Sequence, residues 1–136
     1  MKVFKIKSVA LAGTNYKEIS KKAFGLYNGI RRKTKRRPYI RSAYFDKQKV
    51  FLQLFWNHLR EKSFRDKTRR LKFFVCAMEL IEHSRSEPET IQTIERPSEL
   101  LHRFAGETKD GKIFFVQIKQ ERRTGEKWLT SIFPKD

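Results

Sequence analysis

The chain has 136 residues, 38% of them hydrophobic, which suits one domain around one modest core, with 12 Phe and two Trp supplying large burial per residue. No apolar stretch approaches the roughly 20 residues that cross a bilayer, and Met1–Ala10 alternates Lys with apolar residues where a signal peptide needs a continuous apolar run, so the expectation is a cytoplasmic protein with no membrane attachment. The 32 Lys and Arg against 15 Asp and Glu give a formal net charge of +17, split between residues 1–74 with 22 basic and 4 acidic side chains and residues 75–136 with 10 and 11, the footprint of a protein that meets a polyanion, nucleic acid first.

Lys2–Val9 reads as a short strand. Asn15 followed by Glu18 is a capping pair that opens a helix to about Tyr27, with Gly29 as its stop, so residues 1–30 form an N-terminal extension or a first strand and helix. Arg31-Arg32-Lys33-Thr34-Lys35-Arg36-Arg37-Pro38 follows, a basic run whose self-repulsion and proline predict a loop. Residues 31–41 are expected to contact phosphates through Arg36, Arg37 and Arg41, although a solvated surface segment has the same composition. Asp46 is placed to cap a helix in which Val50, Phe51, Leu54, Phe55 and Leu59 recur at helical spacing. Ser63 with Asp66 resembles a second capping box, opening a helix whose Leu71, Phe74, Val75, Met78 and Ile81 face the core. Together these predict a helical hairpin over 46–83. The start of its second helix carries Arg65, Lys67, Arg69, Arg70 and Lys72, a second basic cluster suited to RNA. Cys76, the single cysteine, falls in an apolar pattern that suits a small buried thiol, and Ser84–Pro97 reads as a connecting loop.

From Leu101 to Phe133 the pattern is strand, Asp110-Gly111 turn, strand, Thr124-Gly125 turn, strand. A two-residue Asp-Gly loop pairs Phe104 with Gln117 and His102 with Lys119, and alternation then puts His102, Phe104, Gln117 and Lys119 on one side and Ala105, Val116 and Ile118 on the core side. The third strand is open between two registers: a two-residue loop sets Thr130 opposite Lys119, a three-residue loop with a bulge sets Ser131 opposite Gln117.

The segments Arg37-Pro38-Tyr39-Ile40-Arg41-Ser42, Phe51–Leu59, Arg69-Arg70-Leu71-Lys72, Leu101–Gly106, Phe115–Lys119 and Ser131-Ile132-Phe133-Pro134 resemble a bacterial family from phages and mobile elements that is grouped with the barnase/EndoU/colicin/RelE-like nucleases. The resemblance spans about residues 36–134. It implies an α+β fold, with N-terminal helices packed on a small C-terminal antiparallel sheet over 101–134, and a single nuclease domain over 1–136. It also implies metal-independent RNA cleavage of the kind made by toxin RNases.

That chemistry needs a base for the 2′-hydroxyl, an acid for the leaving 5′-oxygen, and cations or donors for the charge on phosphate. Histidine exchanges protons near neutrality, so His102 is the expected proton-transfer group. Lys119 is expected to stabilise the transition state, Gln117 and Ser131 to orient phosphate, and Arg103 to assist if strand twist brings it round. His58 on the apolar helical stripe reads as a packed histidine, and His83 as a residue favoured by a helix end. Three scattered histidines, one cysteine and dispersed carboxylates offer no recognisable metal site, and no cofactor is expected. Trp56, Tyr39 and Tyr44 are candidates for stacking on bases, and Trp56 equally for packing. The expected partners are RNA (free mRNA, tRNA or ribosome-bound mRNA) and an acidic antitoxin protein that covers the basic cleft. A noncatalytic nucleic-acid-binding module and an interaction protein for an acidic partner are the alternatives.

Overall fold

A computed structural model describes residues 1–136, in which strands and helices alternate as β1 (Val3–Lys5), α1 (Tyr16–Thr34), β2 (Tyr39–Ser42), β3 (Gln48–Phe51), α2 (Gln53–Leu59), α3 (Phe64–Leu71), α4 (Phe74–His83), β4 (Glu89–Gln92), β5 (Glu99–Glu107), β6 (Ile113–Glu121) and β7 (Lys127–Pro134). All seven strands join one mixed, curled sheet in the order β1-β5-β6-β7-β3-β2. β4 shares the outer edge of β5 with β1: β4 pairs antiparallel with residues 100–103, β1 parallel with residues 105–107. This corrects the expected small antiparallel sheet. The N-terminal half supplies three of the strands, and two of the joins, β1 to β5 and β3 to β7, are parallel, so their connections must cross over through the intervening helices. No helix is long and apolar enough to cross a membrane.

Several local expectations hold and several yield to tertiary pairing. Asn15 does cap α1, accepting from the Glu18 backbone N–H at 2.9 Å. The helix, however, runs past Gly29 and takes in Arg31, Arg32 and Lys33, because cations at a helix C-terminus face the negative end of its dipole. It stops at Lys35, whose φ is 61°. The basic run is therefore helix end, short link and the start of β2. Asp46 caps nothing: it lies with Lys47 at positive φ in the β2–β3 turn. Val50 and Phe51, read as helical, pair instead with β2 and with Lys127 and Trp128 of β7. The predicted hairpin over 46–83 becomes a strand and three short helices. Ser63 caps α3 through the Asp66 N–H, and α3 breaks from α4 at Phe73, which leaves the helical path to stack on Phe114 at 5.5 Å. Glu79 of α4 accepts from the backbone N–H groups of Lys7 and Ser8 and from the Ser8 hydroxyl, which ties the N-terminal segment to the body. Ile6, Ile19, Ala23 and Tyr27 enter the same core cluster, so residues 1–30 are integral to the fold.

The β5–β6 turn decides which side chains face where. The Thr108 N–H donates to the Lys112 carbonyl and only Gly111, with φ 88°, takes positive φ. Three residues rather than two lie in the loop, which shifts the register by one: His102 pairs with Ile118, Arg103 with Gln117 and Leu101 with Lys119. Paired residues share a face, so a one-residue slip exchanges the faces of one strand relative to the other. His102, Phe104, Val116 and Ile118 lie on the buried face, while Arg103, Gln117 and Lys119 are half-buried on the other. Gly106 opens the buried face to α4: a Cβ there meets Phe114 Cζ at 2.5 Å and Leu80 Cδ1 at 2.8 Å, which only glycine avoids.

Candidate nucleic-acid interface

The open face of β5–β7 is built by a row of polar side chains across three strands. Arg103 on β5 donates from Nη2 to Gln117 Oε1 on β6 at 3.2 Å; Gln117 is paired with Ser131 on β7; and Arg70 of α3 donates from Nη1 to Ser131 Oγ at 2.9 Å. Ser131 takes the position opposite Gln117 because a bulge at Thr130 corrects the register after the turn that follows β6. That turn is longer than either loop considered from the sequence: the Glu121 N–H bonds to the Glu126 carbonyl and the Gly125 N–H to the Glu121 carbonyl. Thr130 itself is buried and donates to the Gln117 carbonyl.

Both guanidiniums lie over the ring of Phe133, Arg103 at 5.4 Å and Arg70 at 5.7 Å from its centroid. Burial pushes the Asp66 carboxyl up, but Arg70 and Arg69 outweigh it and hold it below its ordinary value. Asp66 thus anchors Arg70 through Nε at 3.1 Å and leaves Nη1 to reach Ser131 Oγ and the Ile132 carbonyl on the sheet. Arg103 has no carboxylate partner at all, and its Nε is buried without a hydrogen bond. Incomplete satisfaction of a half-buried cation costs stability. Its one side-chain hydrogen bond, to Gln117, leaves the rest of the guanidinium without a bonded partner on the open face.

Lys119 completes the cluster of cations, 3.6 Å from Glu99 Oε1 and over the Trp128 ring at 5.1 Å. A cleft of about 760 Å³ is lined by Lys119, Gln117, Ser131 and Arg70 together with His58 of α2 and Glu99. His58 is exposed at the cleft wall rather than packed in the stripe expected for it. Its Nδ1 lies 3.3 Å from the Thr130 carbonyl oxygen. A carbonyl only accepts, so Nδ1 donates, and it is Nε2 that carries the lone pair in the neutral ring.

His102 is in the opposite situation. It is 6% exposed, with Nε2 2.7 Å from Gln120 Oε1 and Nδ1 2.8 Å from Thr90 Oγ1. The neutral ring donates to the glutamine and accepts from the threonine, which uses both nitrogens. Burial lowers its pKa from the ordinary 6.5; Gln120 opposes this and Lys127 adds to it. The predicted grouping of His102 with Gln117 and Lys119 is corrected on this ground: the three-residue turn sends it to the core side.

The basic residues divide among four surfaces. Of the arginines expected to bind RNA, Arg70 lines the cleft, alongside Lys62, Arg96 and Lys119. Arg37 pairs with Glu126 at 3.4 Å and lies 3.8 Å over the Phe51 ring, and Arg41 donates to the Lys47 carbonyl, both near the β2–β3 hairpin. Arg65 and Arg69 flank a surface with Lys72 and Lys112, Arg69 being paired with Asp66 and Asp136. Arg36 lies in a groove beside α1. Cys76 is buried and its thiol is pushed up to about 11, chiefly by burial, as suits a packing residue. Nowhere do three or more His, Cys, Asp or Glu side chains gather as a metal-binding group. Comparisons with protein families, curated proteins and solved structures return no match.

Proposed function

We propose that the chain is a metal-independent endoribonuclease, of the reaction class its sequence resembles, that cuts RNA by attack of the 2′-hydroxyl at the open face of β5–β7. The observation that carries this reading is the cleft in which a histidine with a free Nε2 stands beside Lys119, Arg70, Ser131 and Gln117. His58 Nε2 takes the 2′-hydroxyl proton as O2′ attacks phosphorus. Arg70 and Arg103 stabilise the charge that grows on the phosphate oxygens, as preorganised donors do best where it develops. Ser131 and Gln117 hold the phosphate in line. The P–O5′ bond breaks and the leaving oxygen takes a proton from the Lys119 ammonium, which water restores. The products are a 2′,3′-cyclic phosphate and a 5′-hydroxyl end.

Cytoplasmic RNA, whether mRNA, tRNA or message on the ribosome, is the substrate class, and an acidic antitoxin-like protein that pairs with Lys62, Arg70, Arg96 and Lys119 of the cleft is the class of regulator. The test is digestion of a single-stranded RNA in excess chelator with analysis of the product ends. The expected result is cleavage that persists and leaves cyclic phosphate. Activity that disappears with chelator and returns with a divalent metal, or no cleavage of any RNA tested, contradicts the reading.

A further inference from the structure

A second surface, on the other side of α2, has a composition of its own. A groove of about 1030 Å³ is walled by α1 and α2 and lined by six cations, Arg31, Arg32, Lys35, Arg36, Arg60 and Lys67, with no carboxylate among its lining residues. Four aromatic rings line it as well. Phe24 is 42% exposed and stacks on Trp56 with centroids 4.5 Å apart and planes 27° from parallel, while Tyr27 backs the same indole at 4.9 Å. The outer face of Phe24 thus continues a stack already begun in the protein. Asn28, Gln53 and Asn57 add side-chain amides at the rim.

We propose that this groove is a binding subsite for single-stranded RNA, in which a base stacks on Phe24, the amides meet its edge, and the surrounding cations hold the flanking phosphates. Flat ring, amide and cation are the three elements that recognise an unpaired nucleotide, since a base in a duplex offers no free face. The subsite serves the ribonuclease reading through its position. Along α2 and the residues just after it, Gln53, Trp56, Asn57 and Arg60 line the groove, Leu54, Phe55, His58 and Glu61 line the catalytic cleft, and Leu59 touches both. A helix is about 10–12 Å across, so a strand of a few nucleotides passes over it from one site to the other. The groove then supplies affinity for single strands while the cleft acts on a neighbouring phosphate.

The test is anisotropy titration of a labelled 2′-O-methyl oligonucleotide of about a dozen nucleotides, as a single strand and as a duplex, against wild type, Phe24→Ala and Phe24→Leu. The methylated strand cannot be cut, so binding reads the groove whether or not the cleft cleaves, and product analysis on ordinary RNA reads the cleft separately. Leucine keeps apolar cover on Trp56 without a π-face, and thermal melts establish that each variant is folded. Both variants are expected to bind the single strand roughly tenfold more weakly and the duplex as wild type does. Equal single-strand affinity for Phe24→Leu and wild type, or equal weakening on duplex and single strand, overturns the proposal. So does an acidic peptide of matching charge that binds as tightly as the oligonucleotide and loses as much on Phe24→Leu, since the groove then belongs to a protein partner.

Discussion

On the buried face of β5–β7, His102 sits between Thr90 and Gln120 with both ring nitrogens used, among Phe104, Val116 and Ile118. On the open face, Arg103 keeps a buried Nε without a partner, Arg70 reaches across to Ser131, and His58 offers an uncommitted nitrogen. The two faces differ in how completely their polar groups are satisfied. Bonding of both ring nitrogens offsets the cost of burying His102, and that same bonding leaves it nothing to offer a substrate. The open face holds the donors that remain available. Similar residue types therefore serve the fold on one side and suit chemistry on the other.

The buried face should show its largest effect in stability. Phe114 is fully buried and stacked on Phe73, so Phe114→Ala is expected to cost about 3–5 kcal/mol through the cavity it leaves. Chemical denaturation measures this, and a loss near zero would reverse the assignment of faces. Arg103→Ala should do the converse. Because it removes a cation that is incompletely bonded in the fold, the melting temperature should stay within a few degrees while cleavage falls about 100-fold, the usual scale for a preorganised donor. A large stability loss with cleavage per folded molecule unchanged would make Arg103 a residue of the fold.

The pH dependence of stability sharpens the contrast. His102 has a folded pKa below its ordinary 6.5, so the unfolded chain binds the proton first as pH falls. Its contribution is present above 6.5 and is lost below it, down to the folded pKa. Glu79 adds a second loss at lower pH: burial raises its pKa, but the bonds from Lys7 and Ser8 prevail and hold it below the ordinary 4.5, so its stabilisation fades as pH falls from there. His102→Asn should flatten the melting-temperature profile just below pH 6.5 and leave the more acidic limb. An unchanged profile would mean that the ring titrates as freely in the fold as in the unfolded chain. The smallest effect concerns salt. Arg36→Ala should reduce the slope of log affinity against log salt by about 1, as loss of one phosphate contact does, whereas Arg37→Ala should leave it, since Glu126 already holds that guanidinium. Equal changes would place both on the RNA path.

Much of this was legible from the residues. The caps at Asn15 and Ser63 and the burial of Val116, Ile118 and Cys76 follow from short-range rules and match the structure, whereas the register of β7, open between Thr130 and Ser131 in the sequence, is decided by a longer turn and a bulge. What was not legible depends on distant partners. Val50 and Phe51 fit a helical stripe equally well until β7 arrives to pair with them, and nothing near them in sequence announces a strand nearly 80 residues away. The Asp110-Gly111 pair signals a hairpin but not its loop length, and one residue of loop decides whether His102 shares a face with Gln117 and Lys119 or with Val116 and Ile118. His58 reads as a packed histidine in the sequence because its neighbours in the helix are apolar. Only the exposure of its own side of α2, and the Thr130 carbonyl that the β7 bulge presents to it, mark it out.

The most direct measurement is the cleavage rate per folded molecule, in chelator, of His58→Ala set beside His102→Asn, with thermal melts of both. His58→Ala is expected to melt close to wild type and to cut at least about 100-fold more slowly, as loss of a proton-transfer group does. His102→Asn is expected to melt lower, because Thr90 and Gln120 lose the ring that bridges them, while its folded fraction cuts at close to the wild-type rate. The reverse pattern, with His102→Asn inactive though folded and His58→Ala fully active, would contradict the assignment of chemistry to the open face.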